Sequence, residues 1–377
     1  MWSDPKLQDF CYVKDERIIF SRFRSYFFDA DSDLWELHLN KETGAASGKP
    51  VRLTNLPGVD VRELTATADG KSLFYLKANS QGQVYVGEFD ARAIRLVGLR
   101  QLTHGEATHW PTGWTPDSRA VLFTSDQNGF WDIYKQSLEK NEPEPLVLSS
   151  DFKLDPRLSP DGKWILFTTV PLSEAGEADS ASTPIVKRIP ASGGPVQFVA
   201  SAHRQLGPSS GLYRCGRTID SCVWTEISED QKQLVFYVFD PVAGVGQRRA
   251  AVSLDLDPWN YDVSPDGSLL AWNTSEPDSP FGAIRIFSFK DGKTRDLKIE
   301  GWTNFKSFDW AVNGKGFFVS SSGRAGSTLL YIDLQGRAHP ISYLNYPNSW
   351  GVPSPDGRRV AILGGTQDRN VWMMENF

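Results

Sequence analysis

Three groups of residues in this chain have types and spacing that could do chemistry. Trp110, Trp259 and Trp350 stand six or seven residues ahead of Asp117, Asp266 and Asp356, in "HWPTGW", "DPWNYD" and "NSWGVP". Trp302, in "GWTNF", stands slightly further ahead of Asn313. Aromatics at one repeated place could form a recognition rim, because Trp and Tyr supply large contact area at low entropy cost. His109, Trp114, Asp155, Arg157, Tyr261 and Asp309 share these stretches and would give the rim polarity. Packing between repeats also uses aromatics, and that reading stays open beside the first.

The second group is Asp69, Asp117, Asp161, Asp266 and Asp356, each in a Pro-Asp-Gly-like turn. An Asp there accepts backbone N–H bonds of its own turn, which is shape rather than catalysis. The third group is metal-ligand and nucleophile types. The five His (38, 104, 109, 203, 339) are scattered, and Cys and His show no zinc spacing. Asp29–Asp33, "DADSD", begins like a calcium loop but lacks the Gly and the closing Glu, so it reads as a polar hairpin loop. There is no Gly-x-Ser-x-Gly elbow, and "GRAGSTLLY" leads from loop to strand, not from strand to helix. These features predict no catalytic residue, no metal and no cofactor.

The elements that must position these residues repeat. "TADGKSLFYLK", "TPDSRAVLFTS", "SPDGKWILFTT", "SPDGSLLAWNT", "VNGKGFFVSS" and "SPDGRRVAIL" share one plan, a turn followed by an apolar strand. Pro presets φ and Gly accepts the positive φ of a tight reversal. The anchors Asp69, Asp117, Asp161, Asp266, Asn313 and Asp356 are 48, 44, 105, 47 and 43 residues apart. The long gap holds two periods, so one unit has lost its marker. Periods in the forties with only strand patterns indicate propeller blades. The expectation is an all-β fold, one β-propeller over 1–377 of four-stranded antiparallel blades. Eight units are counted, near 8–54, 60–103, 109–148, 153–200, 211–254, 259–298, 303–342 and 349–377; seven is the alternative. The last unit shows only three strands, and the N-terminal residues are expected to supply the fourth. Connections between blades would bring the Trp-bearing stretches around one channel mouth.

Composition bounds the rest. The chain has 377 residues, 40% hydrophobic, with 13 Trp and a net charge of −6. An acidic balance argues against a nucleic-acid footprint. No 18-residue apolar run and no basic-then-apolar N-terminus is present, which predicts neither a membrane segment nor a signal peptide in this chain. The compartment stays open: cytoplasmic for a stand-alone protein, extracytoplasmic for part of an anchored one. Cys215 and Cys222 flank a turn; two buried thiols are expected, with a disulfide as the alternative.

The turns, with "DSDLWELHL", "RLTNLPG", "QLVFYVFDP" and the terminal "NVWMMENF", resemble TolB-type, WD-like propeller repeats over nearly the whole chain. The resemblance extends to propeller regions that follow protein kinases or winged-helix regulators in acidobacterial proteins. It implies a non-catalytic sensory or interaction module of a bacterial signalling protein. The partner would be a protein, a peptide or a small ligand at the channel mouth. A propeller-type enzyme and a structural subunit are the alternatives: converging ionisable groups at the channel would favour the enzyme, and an aromatic, uncharged lining would favour binding.

Overall fold

A computed structural model describes residues 6–23, 32–55, 59–171, 183–202, 211–217, 222–253, 261–274, 282–323, 326–346, 349–375 and 377. Every element among them is a β-strand, so no helix among the described residues is long and apolar enough to cross a membrane. The expected single propeller over 1–377 packs as two compact units: the described residues of Met1–Gln81 with Thr366–Phe377, and those of Gly82–Pro171 with Ala181–Gly365.

The first unit holds one antiparallel sheet of β1 (Leu7–Val13), β2 (Arg17–Phe23), β3 (Ser32–Leu39) and β4 (Ala46–Arg52). β5 (Val59–Ala66) pairs with the first part of β6 (Ser72–Asp90). Val13, Ile19, Leu34, Val61 and Leu73 form the core, with Met374 and Phe377 packed on it. Arg17 holds Phe377 in place, donating to its backbone oxygen (2.9 Å) and pairing with Glu36 (3.1 Å).

The second unit begins with residues 82–90 of β6 and β7 (Arg95–Gln101). Four sheets of four follow in chain order: β8 (His109–Trp114) to β11 (Glu144–Val147), through β9 (Ala120–Ser125) and β10 (Asp132–Ser137); β12 (Phe152–Leu158) to β15 (Gln197–Ser201), through β13 (Trp164–Val170) and β14 (Ile185–Pro190); β16 (Tyr213–Cys215) to β19 (Gly244–Ser253), through β17 (Cys222–Ile227) and β18 (Gln233–Asp240); and β20 (Tyr261–Val263) to β23 (Thr294–Ile299), through β21 (Leu269–Thr274) and β22 (Gly282–Ser288). A fifth runs from β24 (Phe305–Trp310) to β27 (Ala338–Leu344), through β25 (Gly316–Ser322) and β26 (Ser327–Asp333). The sixth joins β28 (Trp350–Pro353) and the start of β29 (Arg359–Glu375) to β6 and β7.

The first strands of these six sheets form a closed ring. β8 packs beside β12, β16 beside β20, β20 beside β24, β24 beside β28, and β28 beside β8. The remaining join, β12 to β16, is made by Tyr213, whose hydroxyl donates to the Asp155 carbonyl at 2.9 Å. The expected eight blades, or seven, are thus six in the ring of the second unit. The last blade is completed by residues 82–101, not by the N-terminal residues.

Two long strands go with the changed count. β6 and β29 run unbroken through "ANSQGQ" and "GGTQD" as strands of 19 and 17 residues. Gly82 is not there for a positive φ. A Cβ on it would stand 2.9 Å from Thr108 Cγ2, 3.0 Å from Leu363 Cδ1 and 3.1 Å from the Tyr346 hydroxyl. Gly364 likewise lies against the Tyr85 ring, at 3.0 Å. Both glycines answer close packing rather than reversal. Gly82→Val is expected to destabilise by about 1–3 kcal/mol through overpacking, read as a lower urea midpoint; an unchanged midpoint would contradict the packing role.

The repeated turn does local work. In the last copy Ser354 Oγ donates to Asp356 Oδ1 (2.6 Å), which also accepts the Arg358 N–H (3.0 Å), and Gly357 takes φ +69°. The unit without a marker carries the same chemistry one hairpin later. Between β17 and β18, Ser228 donates to Asp230 (2.6 Å), which accepts the Lys232 N–H (3.1 Å).

Candidate functional site

The residue four places before each turn anchor is Gly113, Arg157, Asp262, Asp309 or Val352. These positions lie on first strands, so the ring brings them together. β16 adds Arg214, and the segment after it adds Arg217.

The charged members brace the ring. Arg157 donates from Nε to Asp155 (2.8 Å) and from Nη1 to Asp309 (3.1 Å), on the strand three places away around a six-member ring. It therefore spans the channel. Arg214 pairs with Asp155 on the neighbouring strand and donates from Nε to the Tyr261 carbonyl (3.1 Å). The second Asp309 oxygen accepts the Trp350 indole N–H (2.7 Å). Asp262 accepts the Trp310 N–H (2.9 Å) on one oxygen and the Val263 N–H (2.9 Å) on the other. All six oxygens of the three carboxylates are engaged.

Backbone geometry makes this possible. Asp155 has φ +52°, within a register shift between Leu154 and Arg157. Asp tolerates this conformation better than most residues, and a bulge re-aims the side chains around it.

The electrostatics follow from burial and pairing. Burial pushes the Asp155 carboxyl up, but the Arg157 and Arg214 guanidiniums outweigh it and hold the group below the usual range. Among the described residues no arginine lies at ion-pair distance from Asp262. Burial, then the nearby Asp309 charge, push its carboxyl up to about 6, against the pull of Arg157.

Of the residues expected at a rim, Asp155, Arg157, Asp309 and Trp350 converge here. Trp110 stands edge-to-face with Trp350, ring centroids 5.9 Å apart. Tyr261 borders the network through its carbonyl, while its hydroxyl donates to the Gly211 carbonyl (2.6 Å). Three others do different work. Trp114 is buried and donates its indole N–H to the Val352 carbonyl of the adjoining strand (2.9 Å). Trp310 does the same to the Asp262 carbonyl (3.2 Å), so this Trp is a blade-to-blade clamp. Trp302 packs on the core around Phe305 and Phe308. His109 is buried edge-on to Phe123 (5.3 Å), and burial lowers its imidazole to about 4. Trp259 lies outside the described residues.

Arg214, Arg217 and Asp262 were missed. Asp262 occupies the same fourth-before-anchor place as Arg157 and Asp309, a signal readable in the sequence. Arg214 had none, because its unit lacks the marker. The lining is one of converging, paired charges, the outcome that favours an enzyme on the sequence criterion, and not the aromatic, uncharged lining that favours binding.

Cys215 and Cys222 face each other across β16 and β17 and are bridged, which corrects the expectation of two thiols. Directly paired cross-strand positions bring the Cα atoms to 3.9 Å, within reach of a bond. Denatured, unreduced protein is expected to show one titratable thiol, Cys11; three would contradict the bridge.

The chain is similar to TolB propellers. It is 25% identical over 127 residues to the Tol-Pal system protein TolB of Francisella tularensis subsp. tularensis (strain WY96-3418), which covers 32% of this chain and 28% of that relative. Among solved structures, TolB from Acinetobacter baumannii shares 13% identity at a TM-score of 0.49, over 95% of this chain and 82% of that one. An oligogalacturonate lyase in complex with manganese shares 12% identity at a TM-score of 0.43, over 95% and 89%. No family model matches the sequence.

Proposed function

We propose that this chain is a non-catalytic binding propeller whose ligand or protein partner sits at the channel of the second unit. The observation that carries this reading is the engagement of every carboxylate oxygen in the channel by an arginine, an indole or a backbone N–H. These bonds fix all three carboxylates to neighbouring strands as braces of the ring, whereas a general base must reach a substrate proton. A rigid, pre-paired mouth suits recognition, since little is lost in ordering it. The similarity to a protein named for the Tol-Pal system favours a partner within a bacterial protein assembly, and the sequence resemblance favours a signalling module. The bridged cysteines favour an oxidising compartment.

Capture from bacterial lysate by the immobilised full chain tests this. Trp110→Ala combined with Trp350→Ala is expected to lose the wild-type partner while remaining folded, with a lower melting temperature because Asp309 loses the Trp350 indole. The same captured set from both proteins would overturn a site at the channel.

A second reading, an enzyme, is favoured by the converging ionisable groups and by Asp262, whose carboxyl burial and then Asp309 push up to about 6. Turnover of any substrate that is abolished by Asp262→Asn, with fold retained, would establish it.

A further inference from the structure

One charge in the channel is unlike the rest. Arg157 and Arg214 spend their guanidiniums on carboxylates and a carbonyl. Arg217 has no carboxylate within ion-pair distance among the described residues; its side chain makes one hydrogen bond, from Nη2 to the Pro353 carbonyl (3.1 Å). Its backbone N–H donates to the Pro265 carbonyl (2.8 Å). Pro265 follows β20, and Pro353 ends β28, three places around the ring from β16. The arm of Arg217 therefore reaches across the channel at the end where first strands enter their turns. The side chain is open to solvent although protein surrounds it, and that enclosure lowers its pKa against the pull of Asp262 and Asp309. A guanidinium has five N–H donors; here one is used and the position is fixed at both ends.

We propose that Arg217 holds the carboxylate group of a ligand at this mouth. The proposal rests on the binding reading above and names the chemistry of what is bound. A guanidinium fork matches a carboxylate in two parallel hydrogen bonds. Charge balance selects a monoanion. Arg157, Arg214 and Arg217 stand against Asp155, Asp262 and Asp309, so a dianionic phosphate would face Asp262 and Asp309 with surplus charge. A monoanion can be offset by one proton taken up on Asp262, whose charged neighbours are Asp309 from β24, Arg157 from β12, Arg214 from β16 and Arg217 itself. The carboxylate can belong to a small acid or to a peptide terminus.

The Arg217 Nε–H resonance of the full ¹⁵N-labelled chain, assigned by its loss in Arg217→Lys, gives the test. Sodium acetate and triglycine are the probes, with triglycine amide and phosphate as controls at matched ionic strength. Saturable shifts with acetate and triglycine, absent with the amide, are expected. Phosphate is expected to shift the resonance less than acetate at equal concentration. Tighter binding of triglycine than of acetate assigns a peptide terminus; equal binding assigns a small acid. In Arg217→Gln the backbone amides of 262–264 and of Val352 are expected to lose the saturable response. No saturable shift, or an equal shift with the amide, overturns the proposal. A chain that loses its partner in the Trp110/Trp350 variant yet ignores acetate keeps the binding reading and loses only this one.

Discussion

Replacing Arg157 with Met is expected to lower the stability of the protein by about 3–5 kcal/mol, the range found when one partner of a buried ion pair is removed. The reason is specific to its place. Arg157 is the group that spans the channel, holding Asp155 on its own strand and Asp309 across the ring. Asp309 is buried, with its side chain 5% exposed, and would keep only the Trp350 indole. Asp155 would keep Arg214. Arg157→Lys is expected to recover little, because one ammonium cannot reproduce a fork that donates to two carboxylates in opposite directions. Urea unfolding at pH 7 measures this. A loss under 1 kcal/mol would show that the carboxylates find other partners.

The second large effect is a pair of opposed pH dependences. His109 takes up a proton at about 4 in the fold and near 6.5 when unfolded, because burial disfavours the imidazolium. As pH falls from 6.5 to 4 the unfolded chain binds the proton first, so stability is lost, by up to about 3 kcal/mol from 1.36 kcal/mol per unit. Asp262 runs the other way. Its folded carboxyl is raised from 3.8 to about 6, so as pH falls from 6 towards 3.8 the fold binds the proton first and gains stability, by a similar amount. Asp126, raised by burial, adds to the same side. The turn aspartates and Asp155, held below the usual range, act only at lower pH. The His109 and Asp262 contributions therefore nearly offset between pH 6.5 and 4, and Asp126 tips the wild type towards greater stability as the pH falls. His109→Phe should become more stable as the solution is acidified, and Asp262→Asn less stable. Melting temperatures at half-unit steps decide it; parallel slopes in the two variants would refute both assignments.

The fold was legible where the sequence marks its own turns. "SPDG" hairpins anchored three of the six ring sheets and the variants "TPDS" and "VNGK" two more, because the hydroxyl, Asp or Asn, and Gly positions serve the reversal itself. The unit carrying Tyr213 and Arg214 was found from its spacing alone. Legibility failed at Gly82 and Gly364, since a glycine chosen for close packing looks the same in sequence as one chosen for a turn. That ambiguity hid two long strands and changed the blade count. At the site, Arg157 and Asp309 were readable from their place before the anchor, and Asp262 would have been by the same rule. Trp114 misled because it shares a stretch with Trp110, although it stands three residues before its anchor, the place that Trp310, the other clamp, also takes. The Arg214–Asp155 pair depends on a left-handed residue within a bulge, which no local pattern announces.

The most direct test of the braced channel is a double-mutant cycle on Arg157→Met and Asp309→Asn, measured by urea unfolding at pH 7. A cross-channel ion pair predicts that the double variant is more stable than the sum of the single losses by about 1–3 kcal/mol, within the range seen for residues in contact. Additive losses, with coupling near zero, would mean that Arg157 and Asp309 do not meet across the ring, and the account of the channel would fail with them.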